Sequence, residues 1–230
     1  MKEQTRPAWI RPILLGLHPS AFLLAAQLLQ LILYAVFDSL YIQRALISAV
    51  SVIVLIFVVW VVIRSPASNW VAWILAVPAF VIALLSAFST NPALLAWSAL
   101  LEAALYFYAA GSMIAYMMQD HQVTTDELFA AGATFTLFAW GYAYLYMVIQ
   151  TWSPGSFTNG VEPVKARTFI ELLFLSFTNL TATGLSDIVP VTNWARILVM
   201  LEQFTGVGYV AVVVSRLVGL TLQRESRKRA

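Results

Sequence analysis

Cysteine is absent from this chain of 230 residues, and charged residues are scarce. Without cysteine there is no disulfide, thiol nucleophile or thiolate metal site, and the redox compartment cannot be read from the sequence. The two histidines, His18 and His121, are far apart in sequence, so we expect no histidine-based metal cluster. Charged residues make up 10% of the chain and hydrophobic residues 61%, with a mean hydropathy of +0.82. This composition is typical of an integral membrane protein.

Long apolar runs divide the chain into candidate membrane spans. A helix needs about 20 apolar residues to cross roughly 30 Å of hydrocarbon. Six runs reach or approach that length: Ala21–Phe37, Ala45–Ile63, Trp70–Phe88, Ala93–Met118, Leu128–Gln150 and Trp194–Leu220. We therefore interpret the chain as an all-α integral membrane protein with six transmembrane helices.

The orientation follows from the basic residues near the two ends of the chain. Both termini carry Lys and Arg, and an even number of spans places them on the same side of the membrane. We expect a multi-pass protein of the inner or plasma membrane with cytoplasmic N- and C-termini. The basic tail, Gln223–Ala230, would then contact anionic lipid headgroups.

A short apolar piece, Thr168–Leu180, lies between the last two spans. It is too short to cross the membrane but has the length of a re-entrant half helix. The turn "TATGLSD" follows it, and irregular backbone at membrane depth is tolerated only where protein buries it or where it lines a water-filled cavity. The alternative is an extracellular amphipathic helix followed by a loop.

The stretch "SFTNLTATGLSDIVPVTNWAR" resembles the pore loop of tetrameric potassium channels, S-F-x-T-L-T-T-V-G-Y-G-D-x-x-P, followed by the start of the inner helix. The positions that keep the residues of that family are Thr181, Gly184, Asp187 and Pro190. The resemblance implies an ion channel subunit and no enzymatic activity. It further implies a homotetramer in the lipid bilayer, and nothing in the sequence indicates a nucleic-acid partner.

The same resemblance divides the chain in two. Residues 1–120 would form a four-helix N-terminal membrane domain. Residues 121–230 would form a pore domain with an outer helix, a re-entrant pore helix and filter between helices 5 and 6, an inner helix and a short basic tail. No Lys or Arg lies between Arg64 and Lys165, and voltage sensing needs several arginines in a span. We therefore expect the N-terminal domain not to be a voltage sensor.

The selectivity filter implied by the resemblance is Thr181–Asp187, and it departs from the family at four positions. In place of threonine, valine, tyrosine and glycine, this chain has Ala182, Thr183, Leu185 and Ser186. A non-glycine residue in a left-handed conformation costs roughly 1–2 kcal/mol, so Ser186 would strain a filter of the usual shape. We expect K⁺ to bind at the backbone carbonyls of Thr181, Ala182 and Thr183. We expect Na⁺ to be rejected less strictly than by the usual filter, and we expect no other cofactor.

Further candidate residues surround this filter. Asp187 would either form an acidic ring at the outer mouth or hydrogen-bond the pore helix. Glu102 and Glu202 lie inside predicted spans, where acids are candidates for a functional site, although a structural hydrogen bond to a neighbouring helix explains each equally well. Gly206 and Gly208 are candidate gating hinges of the inner helix, or they permit close helix packing.

Other functional classes fit the sequence less well. No lysine lies inside a predicted span, which excludes a retinal Schiff base, and no His–acid or Ser–His grouping suggests an intramembrane enzyme. A secondary transporter would have broken helices in paired halves, whereas a single re-entrant element is predicted here. The sequence predicts a channel subunit for monovalent cations, chiefly potassium, with a non-standard filter. The alternative is a channel-like membrane protein that does not conduct and serves as a structural or regulatory subunit.

Overall fold

The computed structural model of the protein is mainly helical. It describes residues 19–37, 56, 58–60, 69–87, 91–119, 125–161 and 165–229. The helices with both ends inside these ranges are α1 (Pro19–Phe37), α2 (Asn69–Ala87), α3 (Pro92–Gln119), α4 (Thr125–Trp152), α5 (Phe169–Leu180) and α6 (Asn193–Arg229). Two short strands, β1 (Phe157–Thr158) and β2 (Val189–Pro190), pair antiparallel and join the loops on either side of α5.

Three helices in the described ranges are long and apolar enough to cross a membrane, judged by length and composition. They are Pro92–Gln119, Asp126–Trp152 and Asn193–Arg216. Shorter apolar stretches of helix are Ser20–Tyr34 within α1, Trp73–Ile82 within α2 and Phe169–Leu180, which is the whole of α5. Five of the six predicted spans therefore coincide with helices; α3, α4 and α6 meet both the length and the composition of a span, and α1 and α2 are 19 residues long. The second predicted span, Ala45–Ile63, lies largely outside the described residues, although residues 56 and 58–60 are helical.

The starts of two helices follow from local chemistry. Asn91 precedes α3, and its side-chain Oδ1 accepts a hydrogen bond from the Ala93 amide at 3.0 Å. Pro92 occupies the first helical position, where its missing N–H costs nothing. The first turn of α4 carries Asp126 and Glu127, which complement the positive end of the helix dipole. These signals fix where the two helices begin.

Helix α4 is central and packs against α1, α3, α5 and α6. Its Trp140 ring stacks on Tyr106 of α3, with centroids 6.2 Å apart, and Tyr144 packs on Phe169 at 4.7 Å. Tyr34 of α1 also contacts Phe169, at 5.7 Å. Aromatic side chains of α1 and α4 therefore contact the first residue of α5.

Polar contacts also hold α1 and α3 against α4. The hydroxyl of Thr136 donates to Gln27 of α1 at 2.6 Å, and both side chains are buried. Asp126 at the start of α4 accepts from the Ser20 hydroxyl at 3.1 Å and from the Tyr116 hydroxyl at 3.0 Å. These hydroxyl and carboxylate groups find hydrogen-bond partners between helices, where a bilayer supplies no water, although the buried Nε2 of Gln27 has none among the described residues.

Candidate ion pathway

Helix α5 occupies the place of the predicted half helix and begins at a capping box. The Thr168 hydroxyl accepts from the Glu171 amide, while the Glu171 carboxylate accepts from the Thr168 amide at 2.6 Å. Glu171 also lies 3.7 Å from the guanidinium of Arg167. This reciprocal arrangement satisfies backbone donors that the first turn would otherwise leave unpaired. Glu171 therefore has a structural role at the start of α5.

The residues after α5 fold back onto its last turn. The Ala182 amide donates to the Asn179 carbonyl at 3.0 Å. The carbonyl of Thr178 accepts from two amides, those of Thr183 at 3.0 Å and Gly184 at 3.1 Å. The first half of the predicted filter is thus tied directly to the C-terminal turn of α5. Any shift of that turn would move these three amides with it.

Two residues of this segment have left-handed backbone angles. Ala182 has φ 56° and Gly184 has φ 63°. Glycine adopts this conformation freely, whereas alanine does so at a cost of roughly 1–2 kcal/mol. Ser186, where the sequence predicts strain in a filter of the usual shape, has no positive φ. Its hydroxyl instead accepts from the Ile188 amide at 3.1 Å. The backbone strain therefore lies at Ala182.

The predicted filter lies on the surface of the single subunit. Thr181 to Leu185 and Asp187 are exposed, and Leu185 reaches 76% exposure. The hydroxyls of Thr181 and Thr183 lie 3.0 Å apart on this surface. Within the described ranges, no group of three or more His, Cys, Asp or Glu side chains is placed to hold a metal ion. The candidate cation ligands are therefore the carbonyls and hydroxyls of this exposed segment.

Glu202 of α6 lies behind the filter segment and is completely buried. Its carboxylate accepts hydrogen bonds from the Tyr146 hydroxyl of α4 and the Ser176 hydroxyl of α5. The side-chain amide of Asn179, also in α5, donates to Glu202 Oε2 at 3.2 Å. Sequence reasoning singled out the acid but missed its three donors. Ser176 and Asn179 share one face of α5 at a spacing of three residues, which is the signal that would have paired them.

Helix α6 presents one narrow face to the rest of the subunit. Its buried residues recur at alternating spacings of four and three: Ala195, Val199, Glu202 and Gly206. A Cβ added at Gly206 would lie 2.7 Å from the Leu180 Cα and collide with the backbone of α5, whereas one at Gly208 would meet nothing within 4 Å. Close packing therefore accounts for Gly206 as the structure places it. The hinge role of the two glycines stays a prediction.

Three polar contacts continue this face along α6. The hydroxyls of Tyr142 and Thr205 lie 2.7 Å apart. Tyr209 donates to the Ala131 carbonyl at 2.7 Å, and Arg216 forms an ion pair with Glu127 at 3.2 Å. All three contacts join α6 to the outer helix α4. The inner helix is therefore tied to α4 over the C-terminal half of its membrane-length segment, Asn193–Arg216.

Glu102 is not brought to the pathway. It is buried in α3, where the Ser98 hydroxyl donates to its Oε1 at 3.1 Å and the Tyr144 hydroxyl forms a further hydrogen bond. Ser98 lies one turn earlier in α3 itself, and Tyr144 lies in α4. A structural hydrogen bond between helices, one of the two alternatives for this acid, accounts for these contacts.

A family of ion channels matches residues 103–223, which is more than half of the chain. The chain belongs to this ion channel family. The matched segment runs from within α3 through α4, α5, the filter segment and α6, so the resemblance to the potassium-channel superfamily is confirmed. Membership implies a non-enzymatic, oligomeric assembly in a lipid bilayer. No curated protein and no solved structure matches the chain.

Proposed function

We propose that this channel subunit conducts monovalent cations, passing K⁺ and rejecting Na⁺ less well than a filter of the standard sequence. The observation that carries the proposal is the exposed segment Thr181–Leu185, tied to the C-terminal turn of α5. The C-terminal end of a helix carries partial negative charge, which favours a cation nearby. Asp187 is also exposed and would add acid at the outer mouth, as rings of acid do in cation channels.

The weaker rejection of Na⁺ follows from the filter sequence. Selectivity among alkali ions depends on the number and field strength of the coordinating carbonyls. Leu185 has no phenol hydroxyl with which to brace the filter, and its side chain is largely exposed in the subunit. Ser186 keeps its backbone out of the left-handed region that the second filter glycine of the family would adopt. Fewer ordered cation sites than usual would therefore remain, chiefly at the carbonyls of Thr181, Ala182 and Thr183.

We expect the channel to be a homotetramer with α6 lining the pore. Only 17% of the apolar stretch of α6 is buried in one subunit, against 50% for that of α3 and 56% for that of α4. Its exposed side carries large apolar residues, among them Leu201, Phe204 and Val207. Four copies around one axis would cover part of that side and bring the exposed filter segments together. Native mass measurement or imaging should show four subunits with a shared central pathway, and a particle of two subunits lacking one would contradict this.

The proposed topology is multi-pass in the inner or plasma membrane, with both termini cytoplasmic and the basic tail at anionic headgroups. Within it, residues 1–120 form a scaffold around the pore domain of residues 121–230. Helix α3 contains no Lys or Arg, which supports a scaffold that does not sense voltage.

Ion flux from purified protein in liposomes tests the function. Potassium-loaded liposomes that contain the protein should release K⁺ down its gradient faster than protein-free liposomes of the same lipids. A potassium ionophore added at the end gives the total releasable K⁺ in both samples. Release no faster than in the protein-free sample would overturn the proposal. It would favour the non-conducting, structural or regulatory subunit, for which the strained Ala182 is the supporting observation.

A further inference from the structure

One buried carboxylate connects the outer helix, the pore helix and the inner helix. Glu202 of α6 uses both of its oxygens: Oε1 accepts from Ser176, and Oε2 accepts from Tyr146 and Asn179. Its exposure is 0%, so it contacts no solvent in the subunit. Buried polar groups are costly unless they are hydrogen-bonded, and here every donor that reaches the acid comes from a neighbouring helix. The acid therefore fixes three helices relative to one another.

The donors of Glu202 belong to the same turn of α5 that holds the filter segment. Asn179 donates to Glu202 through its side chain and accepts the Ala182 amide through its carbonyl. The neighbouring carbonyl of Thr178 accepts the amides of Thr183 and Gly184. Hydrogen bonds to Asn179, together with the backbone of the last turn of α5, thus connect the inner helix to three filter amides.

We infer that Glu202 is a positioning residue for the filter: it holds the last turn of α5 by hydrogen bonds and thereby sets the backbone geometry from Ala182 to Gly184. It does so from behind the filter and without touching the ion. In this chain it substitutes for the brace that the missing tyrosine hydroxyl at Leu185 would give. Its effect on the filter backbone is independent of conduction, whereas its effect on selectivity rests on the proposed function.

Two substitutions separate the hydrogen bonds from the rest of the side chain. In Glu202→Leu the side chain still fills space but accepts no hydrogen bond, so Tyr146 and Asn179 lose their acceptor. In Glu202→Gln one oxygen remains for those two donors. The new amide N–H can donate to the Ser176 hydroxyl oxygen. That hydroxyl can still donate its own proton to the Ala139 carbonyl oxygen, which lies 2.8 Å from it. The glutamine variant should therefore keep the connection, and the leucine variant should break it.

Hydrogen exchange of the filter amides in the reconstituted protein measures the brace directly. In Glu202→Leu the amides of Ala182, Thr183 and Gly184 should exchange roughly tenfold faster, the factor expected for losing one buried hydrogen bond. In Glu202→Gln they should stay within about threefold of the unaltered protein. Tyr146→Phe, which removes one donor while keeping the ring, is the variant to use if Glu202→Leu does not fold, and it should accelerate the same amides.

Glu102→Leu is the matched control, because it also removes a buried acid from a helix of this chain. Its partners are Ser98 of α3 and Tyr144 of α4, neither of which accepts a hydrogen bond from the filter amides, so these amides should exchange at the unaltered rate. The inference is overturned if Glu202→Leu, or Tyr146→Phe in its place, leaves those amides unchanged, or if Glu102→Leu accelerates them equally. Reversal potentials in mixed K⁺ and Na⁺ should also show weaker K⁺ preference in Glu202→Leu than in Glu202→Gln. If the unaltered protein passes no ions, the proposed function fails, and the exchange rates still decide the inference.

Discussion

Replacing Gly206 with alanine is expected to prevent stable assembly of the pore. The new Cβ would lie 2.7 Å from the Leu180 Cα, in the backbone of α5, and no flexible side chain is there to move aside. Overpacking of this kind typically costs about 1–3 kcal/mol per site, and a symmetric assembly repeats the cost in every subunit. The collision would also push α6 away from α5 one turn after Glu202. We expect a large loss of the assembled form and a lower melting temperature in detergent.

Gly208→Ala provides the matched control, two residues further along the same helix. A Cβ there meets nothing within 4 Å in the subunit, and alanine is a better helix former than glycine. Its stability should equal or slightly exceed that of the unaltered protein. If Gly206→Ala assembles and melts normally, that result would contradict the close packing of α6 against α5 at Gly206. A normally stable Gly206→Ala with a changed open probability would instead support the hinge role of Gly206.

The position of α5 could be predicted from sequence because its signals are local. The apolar piece Thr168–Leu180 is too short for a span, and Thr168 and Glu171 have the spacing of a capping box. The structure begins the helix at Phe169, with Thr168 as its N-cap, and ends it at Leu180. Length and capping residues are enough for such an element, whatever the rest of the chain does.

The surroundings of the acids could not be predicted in the same way. Glu202 is 56 residues from Tyr146 and 26 from Ser176, so no spacing along one helix brings them together. Glu202 and Glu102 look equivalent as sequence features, each one acid in an apolar run. The fold separates them, since Glu202 reaches Asn179 in the last turn of α5 whereas the partners of Glu102 belong to α3 and α4. Tertiary packing, which a single sequence does not encode locally, decides their different surroundings.

The position of the backbone strain also could not be predicted from the sequence. Aligning the chain with the family places both left-handed residues at the two filter glycine positions, Gly184 and Ser186. In the structure the Thr178 carbonyl captures the amides of both Thr183 and Gly184, and the second positive φ falls at Ala182. Which amides reach that carbonyl depends on how α5 ends and on what holds its last turn. Residue type alone does not settle this.

Restoring the family pattern in the filter should sharpen the preference for potassium. The triple variant Ala182→Thr, Leu185→Tyr and Ser186→Gly returns the hydroxyls and the second glycine that the family pattern contains. A larger number of ordered carbonyl sites should then coordinate K⁺, and the filter should reject Na⁺ more strongly. We expect the permeability ratio to rise at least about tenfold, which shifts the reversal potential by ~59 mV with K⁺ on one side and Na⁺ on the other.

The single variant Ala182→Thr is the informative control for this prediction. Ala182 has φ 56°, and a β-branched residue is a marked outlier in that region. Threonine alone should therefore strain the filter and lower its stability without sharpening selectivity. Only with Ser186→Gly and Leu185→Tyr can the segment adopt the backbone of the family. Near-ideal K⁺ selectivity in the unaltered protein would contradict this account of the substitutions, and the hydrogen bonds behind the filter would then suffice to order it despite Leu185 and Ser186.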